Sequence, residues 1–286
     1  MRNFKFFKVN GAGNDFILID AIREFPGNLS NKDIARICDR RKGVGADGVL
    51  ILVPSADSLC RVEFFNADGS PGTLCGNGAR CVINYLRVEG YSDAGEMEFR
   101  FGDKKYTGSF ADSGEPVFHM KRPAKLKTKF RIKASDTLIP SHYCDTGSPH
   151  VVIEINDVPL DPRRSPATHQ ELLSFPVIQL GREIRHHPDF APGGVNVNFI
   201  KIISQNEIAI RTFERGVEDE TLACGTGSAA AAVVAFALEK CKPPVKIVTK
   251  SGDHLTINFE IINNKLENLR LTGPAEINFH GTVGLE

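Results

Sequence analysis

Net charge and long apolar runs are missing from this chain, and no secretory leader is expected from its opening residues. Its 35 Lys and Arg residues balance 35 Asp and Glu. That balance argues against a dedicated nucleic-acid binder, whose affinity comes largely from surplus basic side chains. No apolar run approaches the ~20 residues that a bilayer-spanning helix needs, so no membrane role is expected. The opening stretch MRNFKFFKVNGAGNDF reads as a strand entering a polar loop, without the apolar core and small-residue cleavage site of a leader. The seven cysteines are odd in number and scattered at Cys38, Cys60, Cys75, Cys81, Cys144, Cys224 and Cys241. Reduced thiols in a cytoplasmic protein are the expectation, and a disulfide framework is not.

What remains is an ordinary globular composition, 41% apolar over 286 residues, enough for one large domain or two of about 100–150 residues. Period-2 apolar runs predict strands at 16–20, 49–53, 61–65, 96–101, 106–110 and 116–120 in the first half. The second half has them at 151–155, 195–203, 207–213, 245–249, 254–259 and 266–272. Four helices are predicted, at 32–40, 77–89, 168–180 and 228–240. Pro176 should interrupt or end the third. The fourth is Ala-rich and apolar all round, hence buried. The class is α+β with strands in excess, and the Gly, Asp, Asn and Pro between the strands favour antiparallel connections over repeated βαβ crossovers. The basic stretch MKRPAKLKTKFR, residues 120–131, reads as a solvated linker and places a domain boundary.

An internal echo is the most informative feature. TLCGNGARC sets Cys75 and Gly76 before one predicted helix, and TLACGTGSA sets Cys224 and Gly225 before another. A looser echo pairs GAGNDFILID, around Asn14, with TGSPHVVIEI, around Ser148. Two echoes at comparable intervals point to a duplicated unit.

The chemistry follows from where the cysteines fall. The first N–H groups of a helix lack intrahelical partners, and the macrodipole makes that end electropositive. Glycines there let a ligand approach the backbone, so Gly76-Asn77-Gly78 and Gly225-Thr226-Gly227 suit a small anion such as a carboxylate. A thiolate is favoured at the same place, which makes each cysteine a usable base. Two thiols on opposite faces of one carbon could invert it, one removing the Cα proton and the other returning one. The remaining five cysteines read as small buried hydrophobes. Asn14, Asn66, Asn77 and Asn196 lie in loops between strands, where their amides could hold carboxylate and ammonium groups, although each alone is a common turn former. Arg215 could grip a carboxylate and Glu214 an ammonium, against the plain alternative of a surface ion pair. Gly43 to Gly48 matches a dinucleotide spacing, but it follows a helix and precedes a strand, the reverse of what a pyrophosphate site needs. His186 and His187 are adjacent and lack a spaced ligand set, so zinc is not expected.

The segments KVNGAGNDFILID, FFNADGSPGTLCGNGARC, TGSPHVV, GVNVNF and FERGVEDETLACGTGSAAA together resemble the diaminopimelate epimerases, which invert an amino-acid centre without pyridoxal phosphate. The resemblance implies two pseudo-symmetric domains, residues 1–120 plus 275–286 and residues 121–274. Each would be a mixed, mostly antiparallel sheet wrapped around a central helix, with the site in the cleft between them. It implies Cys75 and Cys224 as the acid–base pair, with His150 and Glu214 tuning the thiols. Gly76, Asn77, Gly225 and Thr226 would bind the reacting carboxylate through helix-terminal amides. Asn14, Asn66, Asn196, Glu214 and Arg215 would hold the rest of the substrate. It also implies a small amino-acid substrate, no metal, no cofactor and a homodimer. Three places depart from the commoner pattern: Ser148 where Asn is usual, Gly48 where Gln is usual, and the insertion-like Glu218-Asp219. They bear on substrate choice, so an epimerase or racemase of another amino acid, of glutamate or proline type, is the alternative. A silent binding relative is a third reading, which the retained cysteine pair opposes.

Overall fold

The computed structural model describes residues 2–24, 27–93, 95–158 and 171–285. It divides into two compact units, residues 1–119 with 272–286 and residues 120–271. In the first, β1 (Arg2–Gly11) turns into β2 (Asn14–Asp20), and α1 (Asn31–Cys38) leads to β3 (Gly48–Val53) and β4 (Arg61–Asn66). Helix α2 (Gly76–Val88) then precedes β5 (Glu96–Phe101), β6 (Lys104–Phe110) and β7 (Pro116–His119). The second unit begins with β8 (Lys125–Ala134), β9 (Thr137–Asp145) and β10 (Pro149–Glu154). After α3 (Val177–Arg185) come β11 (Asn196–Ser204), β12 (Glu207–Glu214) and the short β13 (Asp219–Thr221). Helix α4 (Gly225–Ala237), β14 (Val245–Val248), β15 (His254–Ile262) and β16 (Lys265–Thr272) follow. The chain then returns to the first unit as β17 (Glu276–Leu285), antiparallel to β1 along its length.

The two units follow the same course. In the first, β1 and β2 pair antiparallel, β2 and β3 parallel around α1, β3 and β4 antiparallel, β4 and β5 parallel around α2, and β5 and β6 antiparallel. In the second, β9 and β10 pair antiparallel, β10 and β11 parallel around α3, and β11 and β12 antiparallel. Then β12 and β14 pair parallel around α4, and β14 and β15 antiparallel. This is the duplication that the sequence echo predicts. Each parallel crossover carries one helix, and the helices take opposite roles. Alternation along β2 and β3 sends Ile17, Ile19, Val49 and Ile51 to a core with Ile34 and Ile37 of α1. The other face meets α2, which packs against β1, β2, β6, β7 and β17 and is buried from Gly76 to Ile83. Helix α3 likewise packs on Val151, Ile153, Val197 and Phe199, while α4 lies against β9, β10, β11, β12 and β15. A helix so enclosed can afford little polar surface, which accounts for the run of Ala in α4.

Three sequence expectations need correction. Residues 120–131 are not all linker, because Lys125 starts β8, paired antiparallel with β9. The strand was disguised by a register shift between Lys127 and Phe130, where Lys129 adopts φ +58° and breaks the alternation. The third helix does not end at Pro176; it begins there and runs to Arg185, as a residue with fixed φ and no N–H suits a helix entrance. Residues 168–170 of that expectation lie outside the described residues. The crossovers noted above are parallel, where the turn-rich spacing had suggested antiparallel links.

Close packing of α3 on β12 rests on Gly181. An added Cβ there would stand 2.4 Å from Phe213 Cβ, an atom that cannot rotate away. The gain in helix propensity from Gly to Ala is at most about 1 kcal/mol, and the overpacking cost is about 1–3 kcal/mol. Gly181→Ala is therefore expected to lower stability in urea denaturation. No change or a gain would show that α3 can move off β12.

An ionic knot fixes the β1–β2 turn in the first unit. Asp15 accepts hydrogen bonds from Arg40 at 2.7 and 3.0 Å and meets Lys8 Nζ at 2.6 Å. Burial alone would raise its pKa, but these two cations outweigh burial and hold it at about 2. The folded value lies below the ordinary 3.8, so this contribution is present above pH 4 and is lost as pH falls towards 2. Asp15→Asn is expected to cost about 2 kcal/mol at pH 7, because it removes the charge that pairs with the nearly buried Lys8 and leaves that ammonium the Gly45 carbonyl. Paired urea titrations at pH 7 and pH 3 should show the deficit shrinking at the lower pH.

Candidate active site

Strand register gathers the predicted residues at one rim of each unit. In the first, Phe16 pairs with Gly48 and Gly48 with Asn66, so the start of β2, the start of β3 and the end of β4 lie together. In the second, His150 pairs with Asn196 and Val197 with Phe213, which places Glu214 at the same rim. The entrances of α2 and α4 are capped by Cys75 and Cys224, both in extended backbone.

Around Cys75 the contacts are specific. Its sulfur accepts from Gly78 N–H at 3.4 Å, the N-cap bond that satisfies one of the free amides of α2. Asn14 Nδ2 donates to Asp47 Oδ2 at 2.6 Å, which turns Asn14 Oδ1 towards Cys75 Sγ at 3.8 Å and Asn77 Nδ2 at 3.5 Å. Asp47 is in turn held by Arg40 and the Asp15 N–H. Burial, and then the charge of Asp15, push its pKa up. Asn77 Oδ1 accepts from Arg80 at 3.1 Å, and the fully buried Arg80 also bonds the carbonyls of Gly76 and Pro274. Asn66 Nδ2 donates to Ser70 Oγ across the β-turn that follows β4.

Around Cys224 the setting is a buried polar cluster. Cys224 Sγ lies 3.6 Å from Thr226 Oγ1. His150 Nε2 lies 2.9 Å from both Thr226 Oγ1 and Ser148 Oγ, and its Nδ1 lies 3.1 Å from Asn198 Nδ2. Burial, reinforced by the charge of Arg215, lowers the His150 pKa to about 3, so the ring is neutral at neutral pH. Asn196 donates to Ser148 Oγ and to the Pro149 carbonyl, and its Oδ1 accepts from the Arg215 N–H. Thr221 Oγ1 donates to Glu214 Oε2 at 2.8 Å. Glu218, in a left-handed turn, is clamped by Arg185 at 2.8–3.0 Å.

The other cysteines behave as the sequence suggests. All seven are free, and Cys38, Cys60, Cys81, Cys144 and Cys241 are buried. Burial pushes the thiols of Cys38, Cys60, Cys81 and Cys144 up to about 12. Gly48 also acquires a reason. A Cβ there would sit 2.5 Å from the Phe65 carbonyl oxygen and 2.7 Å from the Phe64 ring, so the aromatic ring occupies the side-chain space. Sequence reasoning missed Asp47, Arg80 and Asn198, and with them Thr212, whose Oγ1 donates to Asn198 Oδ1 at 3.0 Å. Arg80 left a trace, since a charge three residues after Asn77 inside an apolar helix needs a partner. Asp47 sat within a glycine run read for nucleotides and for the missing side chain of Gly48.

Comparison with known proteins completes the picture. The diaminopimelate epimerase family model matches residues 6–126 and 142–277. The diaminopimelate epimerase of Chlorobaculum tepidum is 37% identical over 279 residues, covering 97% of this chain and 100% of the relative. That of Aquifex aeolicus is 36% identical over 295 residues, covering 99% and 98%. Among solved structures, a PhzF-family phenazine biosynthesis protein from Bacillus anthracis superposes with TM-score 0.71 at 15% identity, covering 100% of both chains. A probable proline racemase from Agrobacterium radiobacter gives TM-score 0.70 at 16% identity, covering 99% of this chain and 93% of that one. At such identities these two establish a shared two-domain, sheet-dominated fold. The sequence matches go further: this chain belongs to the diaminopimelate epimerase family.

Proposed function

We propose that the protein is a diaminopimelate epimerase that interconverts the LL and meso isomers with Cys75 and Cys224 as its two acid–base groups. The observation that carries the reading is the equivalence of the two cysteines. Each caps the helix that fills its unit, followed by the same Gly-x-Gly. A thiolate at one cap takes the Cα proton, the electron pair is held as a carbanion conjugated with the carboxylate, and the thiol at the other cap delivers a proton to the opposite face. One thiol is consumed and one formed, so no redox partner is needed. The amides of Gly76, Asn77, Gly225 and Thr226 suit the carboxylate, whose charge grows during the step. Asn14, Asn66 and Asn196 would orient the substrate, and Glu214 and Arg215 would hold its distal ammonium and carboxylate. His150 and Glu214 act on the thiols, His150 through Thr226. Residues 1–120 with 275–286 and residues 121–274 would each supply one thiol. A cytoplasmic homodimer serving lysine and peptidoglycan precursor synthesis completes the proposal.

Positioned acid–base groups typically contribute ~10²–10⁴-fold each. Cys75→Ala and Cys224→Ala are therefore each expected to lose inversion by at least about 100-fold with unchanged circular dichroism. The measurement is incubation of single stereoisomers of diaminopimelate, glutamate and proline in deuterated water. Only diaminopimelate should exchange its α-hydrogen and invert; normal turnover by either variant would end the two-thiol account.

A further inference from the structure

The duplicated fold allows each residue under one cysteine to be compared with its counterpart under the other. The echo that aligns Asn14 with Ser148 aligns Phe16 with His150, and the strand ladders carry the match onward. Leu50 pairs with Phe64 in the first unit as Asn198 pairs with Thr212 in the second. Beneath α2 this layer is apolar: Phe16 and Phe64 meet edge to face at 6.0 Å, and Leu50 Cδ2 comes within 3.1 Å of a Cβ placed on Gly78. Beneath α4 the same positions are polar, and His150 and Asn198 are 0% exposed. Buried polar groups cost free energy unless fully hydrogen-bonded, so a sister unit that folds with Phe and Leu shows that the fold does not require them.

Their hydrogen bonds have one consistent direction. Thr212 Oγ1 donates to Asn198 Oδ1 at 3.0 Å, and Asn198 Nδ2 donates to the Val151 carbonyl at 2.9 Å, which together fix the amide. The second Nδ2 hydrogen then points at His150 Nδ1, which must accept, so the ring proton sits on Nε2. That proton goes to Thr226 Oγ1, directly at 2.9 Å or by way of Ser148 Oγ, which lies 3.4 Å from the same hydroxyl. An oxygen that accepts there has its own hydrogen free for Cys224 Sγ, 3.6 Å away. Gly227 is part of the device, because a Cβ on it would stand 2.3 Å from Asn198 Oδ1.

We propose that Asn198, held by Thr212, is a positioning residue that locks His150 as its Nε2–H tautomer, so that the Thr226 hydroxyl donates to Cys224 and favours its thiolate. The role of Cys224 in this proposal rests on the two-thiol reading; the hydrogen-bond relay itself does not. The charged groups around the relay are Arg215, whose field helps keep His150 neutral, and Glu214, engaged by Thr221. The lock sets Cys224 apart from Cys75, whose counterpart layer carries no such chain.

Two measurements on the intact protein test it. Imidazole ¹⁵N spectra should show His150 as the Nε2–H tautomer from pH 5 to 9; an Nδ1–H ring would overturn the lock. With ¹³Cβ-labelled cysteine, the ionisation of Cys224, assigned by Cys224→Ser, can be followed by pH without substrate. Thr226→Val and Asn198→Leu should raise its midpoint by about one pH unit, roughly tenfold less thiolate at a given pH, while Cys75 stays put and Thr226→Ser keeps the original midpoint. An unmoved Cys224 midpoint in Thr226→Val, which nearly preserves shape, overturns the relay even if Asn198→Leu fails to fold. Loss of the two-thiol reading would instead show as turnover surviving in Cys224→Ala, with these spectra unaffected.

Discussion

The candidate site is arranged around the amide groups that a helix cannot satisfy at its own beginning. Each unit encloses one helix in a sheet, and the enclosure forces the start of that helix to a rim where strands also begin and end. At that rim the N–H groups that lack an intrahelical partner and the helix dipole favour negative charge. A cysteine at the cap and glycines behind it offer a sulfur that can carry charge and a backbone that a carboxylate can reach. The remaining site residues occupy strand termini because only these lie at the same level.

Duplication lets this arrangement be built twice with different linings. Around Cys75 the neighbouring amide of Asn14 presents its oxygen, its orientation imposed by Asp47 and ultimately by Arg40. Around Cys224 the neighbour is a hydroxyl backed by a neutral imidazole. In the proposed two-thiol reaction the thiols cannot both rest in the same ionisation state, so unlike surroundings would suit it better than identical ones. The fold supplies the pseudo-symmetry of position; a handful of side chains supplies the asymmetry of charge.

The parts legible in the sequence were those with punctuation. Cys-Gly-x-Gly before an apolar helix fixed the helix mouths, and the echo of those motifs disclosed the duplication. Strands with clean alternation, such as β5 and β12, were placed within a residue or two. Strand β8 was not, because its outer residues Lys125 to Lys127 are exposed and a bulge at Lys129 interrupts the period. The polar layer beneath α4 was illegible for a different reason. Asn198 and Thr212 each look unremarkable in isolation, and only the ladder register brings them beside His150. Arg40, Asp15 and Asp47 form their knot across a helix and two loops, a proximity that no local pattern encodes.

The return of the chain to its starting unit has a consequence for biogenesis. Strand β17 lies along β1 from Arg2 to Asn10, and Leu285 and Val283 join the core of that unit. A ribosome therefore releases the whole second unit before the first can close its sheet, so the half that is synthesised first is the half completed last. Until then β1 presents an unpaired backbone edge, on which the exposed Lys5 places a charge that discourages pairing with another nascent chain.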